Sequence, residues 1–275
     1  YLYDLYKEAY TPWEWHPALF ETANKEGLIC FSSPFDKTAV DLLESLNTPA
    51  YKIASFEITD IPLIEYTASK GKPMIISTGI AGIEDIELAI KTCKDVGNNQ
   101  IILLKCTSSY PAPIEETNLL MISDFTSRFN VISGLSDHTM GITAPIVATV
   151  LGAKVIEKHF IIDRSIGGPD ASFSLNEAEF TSMVKAVREA TKALGSVDYK
   201  ISDNMLKSRE FSRSVYVVKD IYAGEILTTD NVRSIRPSFG LHPKYYKEIL
   251  GKKVKKNILR GSPLKFDDLE LDDNV

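Results

Sequence analysis

Two of the four histidines in this sequence, His138 and His159, each follow a short apolar run with the composition of a buried strand. Because parallel strands end at the same edge of a sheet, side chains that follow consecutive strands lie within several Å of each other. Two neutral imidazoles can bind one divalent cation and leave coordination positions open for substrate and water. A hydrogen-bonded pair of core histidines is the alternative, and position alone does not separate the two.

A second group of side chains has the chemistry needed to bind an anion. Hydroxyl or ammonium groups stand at or near the ends of successive predicted strands, and several such donors together with a lysine suit a phosphate. Each serine alone would equally fit a helix cap, so the inference depends on the whole set. The predicted anion pocket consists of Ser33, Lys52, Ser55, Ser77 and Ser136.

Other residues suggest different chemistry. Lys105 and Lys158 lie inside predicted strands, where a lysine could form a Schiff base with a carbonyl substrate or pair with a carboxylate. Cys106 has no evident histidine partner in the sequence and is interpreted as a packed residue. The glycine-rich segment 167–174 carries Asp170, which either orients a substrate at a loop or caps a local turn.

The elements that must position these groups alternate between strand and helix. Helical periodicity predicts helices over Thr38–Leu46, Ile83–Val96 and Asn176–Leu194, and a helix-like stretch covers Trp15–Glu26. Short apolar runs between them predict buried parallel strands. The six runs are Leu28–Ser32, Tyr51–Ala54, Met74–Ser77, Ile101–Cys106, Val131–Leu135 and Val155–Phe160.

The regular alternation fits either a (β/α)8 barrel of the TIM type or an open doubly wound sheet. Almost every run ends in polar residues, which favours a barrel, because a barrel gathers all its strand ends around one mouth. The sequence also contains neither GxGxxG after the first strand nor GxxxxGK[ST]. Only six strands are visible, so we expect two further βα units upstream of Tyr1; a complete six-unit fold is the alternative.

The pattern changes after Gly195. Residues 196–212 are polar and predict a linker with a short helical piece, and residues 213–275 predict a small β-rich domain with glycine turns. The predicted catalytic barrel domain is therefore 1–195. The basic segment 252–256 has no interleaved aromatic residues and is interpreted as a solvated face.

Composition excludes several classes of protein. The net charge is −6 and the pI about 5.4, which argues against a nucleic-acid partner. No apolar stretch is long enough to cross a membrane, so no membrane partner is expected. Three widely spaced cysteines exclude a disulfide framework and fit a reducing cytoplasm. The chain starts YLYDLYKEAY, without Met or a signal peptide, so we do not expect this to be the natural N-terminus.

Together these motifs resemble the sialic acid synthase family, in order and over essentially the whole chain. The segment from Arg213 to about Leu271, which includes IRPSFG, resembles the antifreeze-like (SAF, β-clip) domain that follows the barrel in that family. WEWHP (13–17) and the glycine-rich segment resemble the pseudaminic acid synthase branch most. The barrel motifs are FSSPFD (31–36), YKIASFE (51–57), ISTG (76–79), KCTSSYPAP (105–113), GLSDHTMG (134–141), EKHF (157–160) and GGPDASFSL (167–175).

The resemblance implies a transferase that condenses phosphoenolpyruvate with an open-chain amino-sugar aldehyde, giving a nine-carbon acid and phosphate. It implies that His138 and His159 bind a divalent metal, manganese or magnesium, and that Glu57 lies near the reacting centre. It implies that Arg236 enters the barrel of the partner subunit in a domain-swapped homodimer. The implied phosphoenolpyruvate contacts are Ser33, Lys52, Ser55, Ser77 and Ser136, with Ser108 as a further polar contact and Tyr110 and Asp170 facing the sugar.

Three alternatives remain at this stage. A synthase of the same family could act on the precursor of N-acetylneuraminic or legionaminic acid, because the shared phosphoenolpyruvate contacts do not select the sugar. A Schiff-base aldolase would use Lys105, and a non-enzymatic sugar-binding module would need none of these groups. Relatives carry two earlier strands with a pocket Glu and Lys that are not in this sequence, so we expect these residues alone to fold poorly and turn over slowly.

Overall fold

The computed structural model describes residues 10–270 together with residues 3, 6 and 7. It divides into two compact units, Tyr1–Gly195 and Ser196–Val275. The outermost ends of the two predicted domains, including Leu271, lie outside the described residues.

The first unit is built on a parallel sheet of five strands. Their order in space is the same as their order in the sequence, without the reversal that a doubly wound sheet requires. This singly wound order, in which each strand pairs with the one before it, confirms the expected barrel-type fold. The strands are β1 (Tyr51–Ile53), β2 (Met74–Ser77), β3 (Ile101–Cys106), β4 (Ile132–Asp137) and β5 (Val155–Lys158).

Helices connect these strands and cover one side of the sheet. Several begin at a polar cap; for example, the side chains of Asp36, Asp60 and Asn176 each accept a backbone N–H of the first turn. The helices are α1 (His16–Lys25), α2 (Lys37–Ser45), α3 (Ile61–Ala68), α4 (Ile83–Asp95), α5 (Met121–Phe129), α6 (Thr143–Val150) and α7 (Glu177–Leu194).

The two faces of the sheet have different neighbours. Successive side chains of a strand point to opposite faces, so each face receives every second residue. On the outer face, Tyr51, Ile53 and Met74 join the helices in the main hydrophobic core. On the inner face, Ile75 and Leu104 belong to a smaller apolar cluster. Toward the carboxyl ends of the strands, polar side chains continue this inner face.

The predicted strand Leu28–Ser32 is wrong. Only Ser32 pairs, through a single parallel bridge to Tyr51. Leu28 and Ile29 are 66% and 79% exposed, so no described element packs over them. Pro34, which has no backbone N–H to donate, lies two residues after Ser32.

The second unit is small and rich in short β pairings. After helix α8 (Asp203–Arg209), strands β6 (Ser214–Val217) and β7 (Val232–Ile235) form an antiparallel pair, and α9 (Tyr246–Ile249) follows. Isolated antiparallel bridges join further segments, and one core cluster closes the unit. This matches the β-rich SAF-type fold expected after the barrel. Among the described residues of both units, no helix combines the length and the apolar character that a bilayer crossing demands.

Candidate active site

The two predicted histidine ligands lie side by side at the carboxyl ends of β4 and β5. Asp137 and Lys158 are register partners across the two strands, and His138 and His159 follow them directly. The two imidazole centroids are 5.2 Å apart, with the ring planes at 65°. The structure therefore brings the two imidazoles together, as the sequence predicted.

Each ring is held through its Nδ1 atom. Nδ1 of His138 donates to the carbonyl oxygen of Thr107 at 2.9 Å. Nδ1 of His159 lies 3.4 Å from a carboxylate oxygen of Asp170. Carbonyl and carboxylate partners of this kind fix the tautomer of metal-binding histidines and leave Nε2 as the ligand atom. These Nδ1 contacts are equally compatible with the alternative of hydrogen-bonded core histidines, so the metal-binding role stays a prediction.

The donor set fits an open metal site. Among the described residues, no group of three His, Cys, Asp or Glu side chains is arranged to hold a metal ion. The protein would thus supply two ring nitrogens and leave the remaining positions to water and substrate oxygen atoms. Structural metal sites are closed by four protein ligands, whereas catalytic sites keep positions open.

The environments of the two rings differ. Burial and the neighbouring His138 lower the pKa of His159, and Asp170 only partly offsets this, so the environment favours the neutral ring, the form that binds a metal. Burial acts in the same direction on His138, but its hydrogen bonds with Cys106 and Thr107 raise its pKa overall. The Sγ atom of Cys106 is 3.8 Å from Nδ1 of His138.

Aromatic rings border the histidine pair. The ring of Tyr110 lies 4.2 Å from that of His138, and the ring of Phe173 lies 5.0 Å from that of His159. Tyr110 and Phe173 are also in contact, with centroids 5.5 Å apart. The two aromatic rings therefore pack against the two imidazoles.

The inner face beside the histidines carries the predicted anion-binding groups. Lys52 is buried, and its Nζ lies 3.5 Å from a carboxylate oxygen of Glu157. Ser136 donates to the same oxygen at 2.6 Å. Ser55 accepts the backbone N–H of Gly79 at 3.1 Å. Two strands at opposite ends of the sheet therefore contribute to one connected polar group.

Several polar atoms of this site are buried among the described residues without a hydrogen-bond partner. They include the hydroxyls of Ser77 and Ser108 and one carboxylate oxygen of Glu57. Buried polar groups are rarely unpaired in native proteins, so such atoms call for an explanation. A ligand that accepts from the two hydroxyls would provide it.

Gly79 shows how closely the hydroxyls converge. A Cβ atom at this position would lie 2.1 Å from Oγ of Ser108, 2.8 Å from Oγ of Ser55 and 3.0 Å from Sγ of Cys106. Only glycine leaves room for these three side chains. The backbone after β2 is therefore part of the site wall.

Glu57 follows β1 in a short 3-10 turn, Ser55–Glu57. Burial raises the pKa of Glu57, an effect that a backbone hydrogen bond and the charge of Lys52 only partly offset. A carboxyl group in this state is suited to hold or transfer a proton.

Two predicted site residues are not brought to this group by the described contacts. Ser33 is half-buried in the loop after the Ser32 bridge. Within the described part of the chain, its side chain makes no hydrogen bond. Arg236 lies in the second unit, where it is exposed after β7. Their roles remain predictions.

The lysines of the Schiff-base alternative lie on the other face of the sheet. Lys105 follows the core residues Ile101 and Leu103 at alternate positions of β3, so it belongs to the outer face, and its Nζ donates to the carbonyl of Cys106 at 2.6 Å. Lys158 pairs with Asp137 at 2.6 Å, also on the outer face. Neither ammonium group faces the anion-binding side chains, which argues against a lysine-based aldolase.

Sequence reasoning missed three residues of the site. Glu157 was hidden because a single carboxylate within a short apolar run has no signal of its own, although its register with Ser136 could have revealed it. Gly79 lies in a quoted motif but has an ordinary turn composition. Cys106 was interpreted as having no histidine partner, and the structure places it beside His138.

Comparison with known proteins agrees with this geometry. The NeuB family profile matches residues 1–199, and the SAF domain profile matches residues 212–270. A curated pseudaminic acid synthase of Helicobacter pylori is 51% identical over 270 residues, which are 98% of this chain and 79% of the relative. An N,N'-diacetyllegionaminic acid synthase of Legionella pneumophila is 36% identical, covering 98% of this chain and 77% of the relative.

A solved structure is also similar. The spore coat polysaccharide biosynthesis protein of Bacillus subtilis has a TM-score of 0.67 and 34% identity, covering 99% of this chain and 82% of that one. Matches of this extent in both sequence and fold show the family to which the chain belongs. The chain belongs to the NeuB family, with a SAF domain following the barrel-type domain.

Proposed function

We propose that this protein condenses phosphoenolpyruvate with 2,4-diacetamido-2,4,6-trideoxy-L-altrose and water to give pseudaminic acid and phosphate. The observation that carries the proposal is the 51% identity to a curated pseudaminic acid synthase over 98% of the chain. The lower identity of 36% to the legionaminic acid synthase makes that sugar the second candidate.

The reaction forms one C–C bond and one C–O bond and breaks the C–O bond to phosphate. The alkene carbon of phosphoenolpyruvate attacks the aldehyde carbon, whose oxygen takes up a proton. Water adds to the adjacent carbon and loses one proton; the hydroxyl of the resulting tetrahedral species then loses its proton as the C=O bond of the keto group forms, and phosphate leaves with the electron pair of the broken C–O bond and takes up that proton. A manganese or magnesium ion held by His138 and His159 would supply Lewis acidity to the aldehyde oxygen.

The residues of the chain bind and orient the phosphate. Lys52 would pair with it by charge, and the hydroxyls of Ser55, Ser77, Ser108 and Ser136 would donate to its oxygen atoms. The unpaired hydroxyls of Ser77 and Ser108 support this assignment, because an anion would satisfy both. These donors also stabilise the charge that accumulates as phosphate leaves. Ser33 stays a further proposed contact.

We assign proton transfer to a carboxyl group of the site. The raised pKa of Glu57 supports a role in holding a proton near the reacting carbons. Asp170 contacts His159 from the glycine-rich loop, and we assign it, together with Tyr110, to the sugar side of the site.

Three further features belong to the proposal. We assign residues 196–212 to a linker between the two domains. We propose a domain-swapped homodimer in which Arg236 of one subunit contacts the sugar in the other; Arg236→Ala is then expected to weaken sugar binding more than phosphoenolpyruvate binding. The three free cysteines suit the reducing cytoplasm as the place of action.

The test is a coupled phosphate-release assay on the native-length protein with a panel of amino sugars. We expect release to require phosphoenolpyruvate and the altrose derivative together, and to be much slower with N-acetylmannosamine and with the legionaminic acid precursor. Faster turnover of either competing sugar would transfer the assignment to that sibling reaction. Release that is independent of any sugar would rule out a synthase.

A further inference from the structure

A buried ion pair lies directly behind the histidine pair. Nζ of Lys158 is 2.6 Å from Oδ2 of Asp137, and both side chains are only 1% exposed. Lys158 also donates to the backbone carbonyl of Thr139, and the backbone N–H of Thr139 donates to Oδ1 of Asp137 at 2.9 Å. In the described structure, these three contacts link Asp137, Thr139 and Lys158 in one small network.

The position of this network relates it to the site. Asp137 directly precedes His138, Thr139 directly follows it, and Lys158 directly precedes His159. Because side chains alternate along a strand, the ion pair lies on the outer face while its two neighbours turn to the mouth. The chain on both sides of His138 is therefore tied to the residue immediately before His159.

Stability alone gives no reason for an ion pair in this position. Taking two charges out of water is costly, and replacement of a buried pair by well-packed apolar residues is often neutral or stabilising. The residues two positions earlier on the same outer face, Leu135 and Ile156, pack in an apolar cluster with helices, which is the setting that such a replacement would extend. Unlike an apolar contact, an ion pair with directional hydrogen bonds fixes the relative position of the ends of β4 and β5.

We propose that the Asp137–Lys158 pair is a positioning device that sets the separation and orientation of His138 and His159. Neither residue touches the substrate; both act through the histidines that follow them. The inference rests on the proposed metal-binding role of the two histidines, although its geometric part does not. Partners behind the ligands commonly control metal affinity by one to two orders of magnitude.

The test compares wild type with the apolar double variant Asp137→Leu/Lys158→Met of the native-length protein. Titration calorimetry with Mn²⁺ alone, without substrates, is expected to give a dissociation constant about 10- to 100-fold higher for the variant. The melting temperature of the metal-free variant is expected to equal or exceed that of wild type. The exposed ion pair Asp124–Arg128 on α5 provides the matched control, and Asp124→Leu/Arg128→Met is expected to bind Mn²⁺ like wild type.

A crystal structure of the metal-free double variant gives a second measurement that does not depend on the metal. The imidazole separation is expected to depart from 5.2 Å or to take more than one value. An unchanged ring pair, or unchanged Mn²⁺ affinity, would overturn the proposal, and so would a variant that does not fold, since the pair would then serve stability. If wild type binds no Mn²⁺, the proposed metal role fails, and the crystal structure still decides the positioning role.

Discussion

The histidine half and the anion half of the site differ in how far their polar atoms are satisfied by the protein itself. At the ends of β4 and β5, both imidazoles have an Nδ1 partner, Thr107 for one and Asp170 for the other. Near β1 and β2, the hydroxyl of Ser77 and a carboxylate oxygen of Glu57 are buried without a partner in the described structure. A buried unpaired group costs about 1–3 kcal/mol. Next to His138, Oγ1 of Thr139 is also buried without a partner in the described structure. The rings of the histidine half are therefore built in advance, whereas the anion half is completed by its ligand.

The largest effect is expected when one imidazole of the histidine half is removed. His138→Ala or His159→Ala in the native-length protein is expected to lower the rate of phosphate release about a thousand-fold, because loss of a Lewis acid is worth several kcal/mol. The phosphate-release assay and Mn²⁺ calorimetry measure the two effects. His16, on α1, is a histidine outside the site, and His16→Ala is expected to behave like wild type. Near-normal rates in either site variant would show that the histidine assignment is wrong.

The next largest effect is expected at the wall of the anion half. Gly79→Ala places a Cβ 2.1 Å from Oγ of Ser108 and 2.8 Å from Oγ of Ser55, so both hydroxyls must move. Overpacking of this kind costs about 1–3 kcal/mol, and we expect the KM for phosphoenolpyruvate to rise about 10- to 100-fold.

The matched control for Gly79 is close by in the sequence. A Cβ at Gly82, the N-cap of α4, would meet nothing nearer than a carboxylate oxygen of Asp85 at 3.6 Å. Gly82→Ala is expected to leave the KM for phosphoenolpyruvate within about two-fold of wild type, since it weakens a helix cap, which lowers stability, but places no atom against the hydroxyls of the site. Equal effects of the two alanines would mean that the hydroxyls around Gly79 do not form the anion site.

The same contrast explains which parts of the site the sequence predicts. The positions of His138 and His159 follow from strand periodicity, because parallel strands deliver consecutive polar ends to one edge. Whether a buried polar atom has a hydrogen-bond partner depends on its neighbours in three dimensions. The sequence therefore carries no signal for the partner of Ser136 or for the lack of one at Ser77. Glu157, on β5, shows this most clearly, because its contact with Lys52 spans the sheet from β5 to β1.

The fold shows a similar division. Strands β1 to β5 were predicted because short apolar β-branched runs between turns have few other interpretations. Helices α3, α5 and α6 were not predicted. Ile61–Ala68 and Thr143–Val150 are apolar around most of their circumference and lack an amphipathic period. Met121–Phe129 is amphipathic but short, and it begins without a side-chain cap. Leu28–Ser32 has strand composition, but in the described structure no neighbouring element covers Leu28 and Ile29, and only Ser32 pairs. Residue propensity predicts a helix or a strand, but packing against neighbouring elements decides whether it forms.

A smaller effect is expected for two serines of the anion half, of which one is hydrogen-bonded within the protein and the other is not. Ser136→Ala removes a hydrogen bond to Glu157 and is expected to lower the free energy of unfolding of the ligand-free protein by about 1 kcal/mol. Ser77→Ala removes an unpaired hydroxyl and is expected to leave that free energy unchanged or to raise it. Urea denaturation measures both. Phosphoenolpyruvate affinity, measured by calorimetry, is expected to fall about 2- to 12-fold in each variant. Destabilisation by Ser77→Ala would mean that its hydroxyl is already satisfied in the protein.

The smallest effect concerns the pH dependence of stability at Glu57. Burial raises its pKa in the folded state above the ordinary value of 4.5, so the folded protein binds more protons than the unfolded chain. The free energy of unfolding must then fall as pH rises through the window that starts near 4.5, and level off above the folded pKa. Glu57→Gln removes this contribution, so the variant is expected to match wild type in pH dependence below the window and to gain relative stability above it.

Urea denaturation of the ligand-free protein between about pH 4 and pH 8 measures this difference. The exposed Glu115 offers a comparison, and Glu115→Gln measured over the same range gives the effect of a glutamate-to-glutamine exchange at an exposed position. If the offset of Glu57→Gln from wild type were constant across the range, the carboxylate would carry its charge in the folded state without penalty. Glu57 would then belong with the prebuilt groups, and Ser77 and Ser108 alone would be left for the ligand to satisfy.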